Sequence, residues 1–125
     1  MADDEENLRL VLKTLLKRNG YEVETASSGE EALALVESFG PDFVLTDVRM
    51  PRMGGLDLLS TLKAKGNEAT VIVMSAYGSN DLAIEAMKSG AYDYVSKPFK
   101  PDEIVLTLKK AEERETLRRE NRALR

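Results

Sequence analysis

The chain has 125 residues, with 18 Lys and Arg against 22 Asp and Glu, and a net charge of −4. That length makes one domain with room for a buried core, and 42% hydrophobic with 32% charged residues is the balance of a globular protein. Cysteine and histidine are both absent, which removes disulfides, thiol nucleophiles and any imidazole base, while the acidic balance argues against direct nucleic-acid binding.

No apolar run reaches membrane-spanning length and no signal peptide is evident, so a cytoplasmic protein away from membranes is expected. The first predicted element is a helix over Asn7 to Arg18, where Leu8, Val11, Leu12, Leu15 and Leu16 recur at helical spacing. Asn19-Gly20 stops it. Tyr21 to Ala26 alternates and predicts a strand. Ser28-Gly29-Glu30-Glu31 has capping-box spacing and opens a second helix that ends near Phe39-Gly40-Pro41. Phe43-Val44-Leu45-Thr46-Asp47 is a short apolar strand closed by a carboxylate, and Met50-Pro51 and Gly54-Gly55 follow. A third helix runs from Gly55 to Lys65 with Leu56, Leu59 and Leu62 inward. Val71 to Ser75 is a strand ending in a hydroxyl, followed by the loop Ala76-Tyr77-Gly78-Ser79 and a helix over Asn80 to Ser89. Tyr92 to Ser96 is the last strand, Lys97-Pro98-Phe99 follows it, and Pro101 opens a final helix that reaches toward the end of the chain.

Alternating helices and strands predict a parallel sheet with right-handed crossovers and helices on both faces. In such sheets the functional crevice lies beyond the carboxyl ends of the strands. Asp47, Ser75 and Lys97 all fall there. Alone, Asp47 reads as a loop or helix cap and Lys97 as a solvated lysine. Together, a carboxylate, a hydroxyl and an ammonium at one sheet edge have the chemistry of a phosphoryl-accepting site.

With Asp47, Met50-Pro51, Gly54-Gly55, Ser75-Ala76, Gly90-Ala91-Tyr92-Asp93-Tyr94 and Lys97-Pro98-Phe99 in order and spacing, the chain resembles the receiver domain of two-component response regulators over residues 3 to about 110. The resemblance implies a flavodoxin-like, doubly wound parallel sheet of strand order 2-1-3-4-5. It implies that Asp47 is the phosphoacceptor and that Mg²⁺ is held by Asp3, Asp4, Asp47 and the backbone carbonyl of Arg49. It further implies that Lys97, the Ser75 hydroxyl and the Ala76 backbone N–H engage the phosphoryl oxygens. Tyr94 is then the aromatic switch that follows Ser75, and the Lys97-Pro98 peptide is cis. The implied partner is a sensor histidine kinase, and the signal is relayed through dimerisation.

The start of the chain departs from this pattern. The family places a buried strand before its acidic pair, whereas only Met1-Ala2 precedes Asp3 here, so the usual first strand is expected to be missing. Three or four core aliphatics are worth roughly 5–10 kcal/mol, against a whole-domain stability of ~5–15 kcal/mol. A truncation, a strand supplied by another chain and a rearranged sheet are the three explanations. Locally, Asp3-Asp4-Glu5-Glu6 also reads as a frayed acidic segment at a helix N-terminus.

Residues 1–108 are assigned to the receiver and 109–125 to a helical linker. Leu117, Asn121 and Leu124 have the spacing of a coiled-coil seam, and a solvated helix rich in i,i+4 ion pairs accounts for the same segment. The linker resembles that of NtrC-type transcriptional activators, which continue into an ATPase and a DNA-binding domain. Neither a Walker glycine loop nor a helix-turn-helix segment is present here. Two rivals are weighed. A phosphohydrolase of the haloacid dehalogenase type wants a second Asp where this chain has Arg49. A phosphorylation-independent interaction module, a truncated or pseudo-receiver, is the alternative that the missing strand favours.

Overall fold

A computed structural model describes the chain apart from residues 4, 49, 51–52, 76–79, 98–99 and 124–125, and gives residues 80, 101 and 118–123 by backbone alone. The described elements are α1 (Glu6–Arg18), α2 (Gly29–Phe39), β1 (Phe43–Asp47), α3 (Gly55–Ala64), β2 (Thr70–Ser75), α4 (Asn80–Lys88), β3 (Asp93–Ser96) and α5 (Pro101–Ala123). The strands form one parallel sheet in the order β1-β2-β3.

The short apolar runs become strands because each is buried on both sides. Val44, Val71 and Val73 face one core with Val36 of α2, Leu58, Leu59 and Leu62 of α3, and Ala86 of α4. Leu45, Ile72, Met74 and Val95 face the other, with Leu12 and Leu16 of α1 and Ile104, Leu108 and Ala111 of α5. Neighbouring residues on one strand thus enter opposite cores, as a pleated strand between two helical layers requires. Helix α2 starts where the capping spacing placed it: the Ser28 side chain accepts the Glu31 backbone N–H at 3.2 Å.

The expected strand at Tyr21–Ala26 is the one element that does not form. Only Ala26 makes a β-bridge, pairing in parallel with Ala2, and Ala2 pairs on its other side with Thr46. Four hydrogen bonds fix this junction: Ala2 N–H to Leu45 O (2.7 Å), Asp47 N–H to Ala2 O (2.8 Å), Asp3 N–H to Ala26 O (3.1 Å) and Ala26 N–H to Met1 O (2.8 Å). Ala2 therefore sits at the position between the 21–26 segment and β1 that the order 2-1-3 assigns to a first strand. The alternation of residues 21–26 is a real local signal, but a strand needs a neighbour along its whole length, and Met1-Ala2 supplies one only at its end. The sheet is not rearranged. The fully buried Ala2 holds the segment and β1 apart.

Helix α5 runs through residue 108 without a break, and Ala111 beyond it is fully buried. Its next turns are tied to the domain through side chains: Tyr21 donates its hydroxyl to Glu112 at 2.9 Å, Lys109 lies 5.0 Å over the Tyr21 ring, and Arg114 lies 5.5 Å over the Tyr92 ring.

Candidate functional site

The site is built by strand register. Asp47 pairs with Met74, one residue before Ser75, and Ser75 pairs with Ser96, one residue before Lys97. Each strand in turn therefore ends beside the next, and all three polar groups reach the same carboxyl edge of the sheet. Backbone bonds complete the alignment. Lys97 N–H donates to Ser75 O at 2.7 Å, and Val48 N–H donates to Met74 O at 2.8 Å.

The Gly54-Gly55 pair has a steric reason. Gly55 N–H donates to Val48 O at 2.9 Å, which brings the start of α3 against the chain leaving β1. A Cβ on Gly55 would strike the Asp47 carbonyl oxygen and lie 3.0 Å from the Asp47 carbonyl carbon and 3.1 Å from Val48 Cα. A Cβ on Gly54 would lie 2.6 Å from Val48 O. Only residues lacking Cβ let α3 begin close enough to brace Asp47.

At the edge, Lys97 Nζ donates to Asp3 Oδ2 and to Asp47 Oδ2, each at 2.9 Å. The Asp3 side chain is 0% exposed, that of Asp47 11% and that of Lys97 22%. Two buried carboxylates facing each other repel, and the ammonium between them relieves that cost. Burial by itself would lower the Lys97 pKa, but its hydrogen bonds to Asp3 and Asp47, and their charges, outweigh burial and hold it above its ordinary 10.5.

Asp3 is not part of a frayed segment. Its other carboxylate oxygen, Oδ1, accepts the Glu5 N–H at 2.8 Å, and its carbonyl accepts Arg9 Nη1 at 2.6 Å. With its own N–H on Ala26 O, it is pinned from three directions. Arg9 was not singled out from sequence. As an arginine on the otherwise polar face of a helix, it carries no local signal of its role. Ser75 is buried at 2% exposure, whereas Tyr94 is 42% exposed on β3. Asp4, Arg49, Ala76 and Pro98 lie outside the described residues, as does Tyr77.

Among the described residues no three acidic, histidine or cysteine side chains gather around a common point. Asp3 and Asp47 nevertheless aim one oxygen each at a single cation, the Lys97 ammonium. Hard carboxylate oxygens converging in this way fit a small divalent ion such as Mg²⁺. No helix among the described residues is long and apolar enough to cross a membrane.

Comparison with known proteins agrees with this geometry. A family model described as the response regulator receiver domain matches residues 1–109. The chain is 39% identical to the regulatory protein AtoC of Escherichia coli over 99% of its own length and 27% of AtoC. It is 38% identical to the chemotaxis protein CheY of Thermotoga maritima, over 88% of this chain and 92% of CheY. The chain thus spans about a quarter of the longer regulators that it matches. Among solved structures, NtrX from Brucella abortus superposes with a TM-score of 0.91 at 35% identity, covering 99% of this chain and 29% of NtrX. The receiver domain of Francisella response regulator 1452 superposes with a TM-score of 0.85 at 34% identity, covering 91% and 94%.

Proposed function

We propose that this chain, which belongs to the response regulator receiver family of two-component systems, takes a phosphoryl group from a sensor histidine kinase onto Asp47. The observation that carries this reading is the Lys97 ammonium held at 2.9 Å from both Asp3 and Asp47 at the carboxyl edge of a parallel sheet. A carboxylate oxygen of Asp47 attacks the phosphorus of the donor phosphohistidine. A P–O bond forms, the P–N bond breaks, and the departing imidazole takes up a proton.

Charge then decides the rest. The acceptor site already contains two carboxylates, and the incoming phosphoryl group adds more negative charge. Asp3 and Asp47, joined in this proposal by Asp4 and the Arg49 carbonyl, would hold Mg²⁺. Such an ion supplies positive charge that offsets the phosphoryl oxygens. Lys97 pairs with a phosphoryl oxygen as a point charge, the Ser75 hydroxyl donates to another, and the Ala76 N–H to a third. The chain's own groups thereby promote both phosphorylation and later hydrolysis, without turning over a metabolite.

The switch follows from Ser75. Drawing its hydroxyl toward Asp47 opens space behind β2, and Tyr94, now 42% exposed on β3, turns inward. A ligand group shifts such an equilibrium only by its differential affinity for the two packings. The surface of α4, β3 and α5 carries exposed Ile84, Met87, Leu106 and Leu117, which supports a homodimer formed through this face and the 109–125 linker. In a longer cytoplasmic regulator, that dimer would pass the signal to an ATPase and a DNA-binding domain, the transcriptional output of NtrC-type relatives.

The test is intact mass after incubation with acetyl phosphate, with Mg²⁺ or with a chelator, beside Asp47→Asn. One Mg²⁺-dependent phosphoryl adduct, absent in the variant, is expected. A folded protein that takes up no phosphoryl group supports the phosphorylation-independent interaction module instead. Light scattering on the phosphorylated and unmodified protein tests the dimer.

A further inference from the structure

We infer, on the reading of Asp47 as the phosphoacceptor, that Gly29 at the start of α2 is a positioning residue for it: Met53 rests on the bare Gly29 backbone, and this contact holds the segment between Asp47 and α3 in place. The contact begins with a helix end. The first four N–H groups of a helix have no carbonyl of their own helix to bond. In α2 the Ser28 side chain takes the Glu31 N–H, and the Gly29 N–H goes to Met53 O at 3.2 Å. A carbonyl from the segment that follows the acceptor thus completes the cap of a neighbouring helix.

Helix propensity disfavours glycine, so its place in α2 needs a reason, and the reason is room. Gly29 is buried. A Cβ on it would strike Met53 O and lie 2.8 Å from Met53 Cγ and 2.9 Å from Met53 Cβ. A new rotamer of Met53 would clear Cγ alone, because the carbonyl and Cβ are fixed to the backbone. Any side chain at position 29 must therefore push α2 and the Met53 backbone apart.

Such a displacement has a short path to the acceptor. Gly54 and Gly55 come directly after Met53, and neither has slack: a Cβ on Gly54 would lie 2.6 Å from Val48 O, and one on Gly55 would strike Asp47 O. The rest of the segment is fixed as well. Val48 N–H donates to Met74 O, Gly55 N–H donates to Val48 O, and Met50 packs against the core that α2 and α3 share. Close-packed backbone transmits strain instead of absorbing it. A shift at Met53 therefore moves Gly55 against the main chain of Asp47. Misplacing a reacting group by about 1 Å can cost about 10²-fold in rate, and a shift relayed through two glycines should cost about tenfold.

The experiment compares the full chain with Gly29→Ala and with Ala34→Gly, which weakens the same helix from its exposed face. Phosphorylation by acetyl phosphate with Mg²⁺ is timed by intact mass, under conditions where urea unfolding shows each protein folded. Gly29→Ala should react about tenfold more slowly and Ala34→Gly at the wild-type rate. A glycine that served only the stability of α2 would leave both folded variants at the wild-type rate. Amide hydrogen exchange gives a readout that needs no phosphoryl transfer. In the wild type the Gly29 and Gly55 amides should be protected and open together, as two ties on one segment, and in Gly29→Ala the Gly55 amide should exchange about tenfold faster or more. If the wild type takes up no phosphoryl group, the reading of Asp47 fails, while exchange still judges the tie. A wild-type rate in Gly29→Ala, equal slowing in Ala34→Gly, unchanged exchange at Gly55, or an unprotected Gly29 amide in the wild type would overturn the inference. The last of these is read whether or not the variant folds.

Discussion

Replacing Lys97 with Met keeps most of the side-chain stem and deletes the charge between Asp3 and Asp47. An exposed ion pair is worth ~0–1 kcal/mol, whereas removing one partner of a buried pair costs ~3–5 kcal/mol because an uncompensated charge is left behind. Here the Asp3 side chain is 0% exposed and that of Lys97 22%, which places the loss near the lower end of the buried range, about 3 kcal/mol. For a chain of this size that is a fall in Tm of about 11 °C. The assay is urea and thermal unfolding of both proteins at pH 7.5, in chelator and in excess Mg²⁺. A divalent ion at a hundred times its Kd returns about 2.7 kcal/mol. It should return more to the variant than to the wild type, where the ammonium already neutralises the pair. The pH dependence has a definite sign. The folded-state pKa of Lys97 lies above its ordinary 10.5, so its contribution is complete below that pH and is lost as pH rises through the folded value. The gap between the two proteins should therefore narrow only in strong alkali. A loss under about 1 kcal/mol, or an equal Mg²⁺ effect on both proteins, would refute the reasoning.

Two further predictions test other parts of the structure. Gly55→Ala gains about 1 kcal/mol in helix propensity but drives a Cβ into the backbone of Asp47 and Val48; it should destabilise by about 1–3 kcal/mol in urea unfolding and slow phosphorylation, and a stabilised variant would show that α3 does not brace the acceptor. The Met1 amine has a folded pKa of about 6 against 8.0 for an open terminus, so the unfolded chain binds the extra proton in that window and stability should rise from pH 6 to 8. The chain has no histidine to titrate there. Urea midpoints across this range should climb for the native amine and stay flat after its acetylation; a climb in both would assign the effect elsewhere.

Much of this molecule is legible in its sequence where a signal is local. Phe43–Asp47 and Thr70–Ser75 stand out as short apolar runs between turn residues, and the register that follows from parallel pairing brings Asp47, Ser75 and Lys97 together. Ser28 caps α2 as its spacing to Glu31 implies. What fails to read is what depends on a neighbour. Residues 21–26 alternate as a strand should, yet among the described residues only Ala26 of this segment forms a bridge, to Ala2. Asp3 reads locally as a terminal acid, and only the family resemblance puts it at the site; it is fully buried, held by Glu5 N–H, Arg9 and Lys97. No pattern around Asp3 foretells a lysine from 94 residues away. Ala111 falls in a stretch too polar for a core helix, and becomes buried because α5 continues over the domain past residue 108.

The central claim is that Asp47 itself carries the phosphoryl group. Borohydride reduces an aspartyl phosphate to homoserine, so the chain can be phosphorylated with acetyl phosphate and Mg²⁺, reduced, digested and sequenced by tandem mass spectrometry. Homoserine at position 47, and none when Mg²⁺ is chelated, is the predicted result. Homoserine at position 3 or 4, or Asp47 recovered unmodified from protein that has gained a phosphoryl group, would contradict the account.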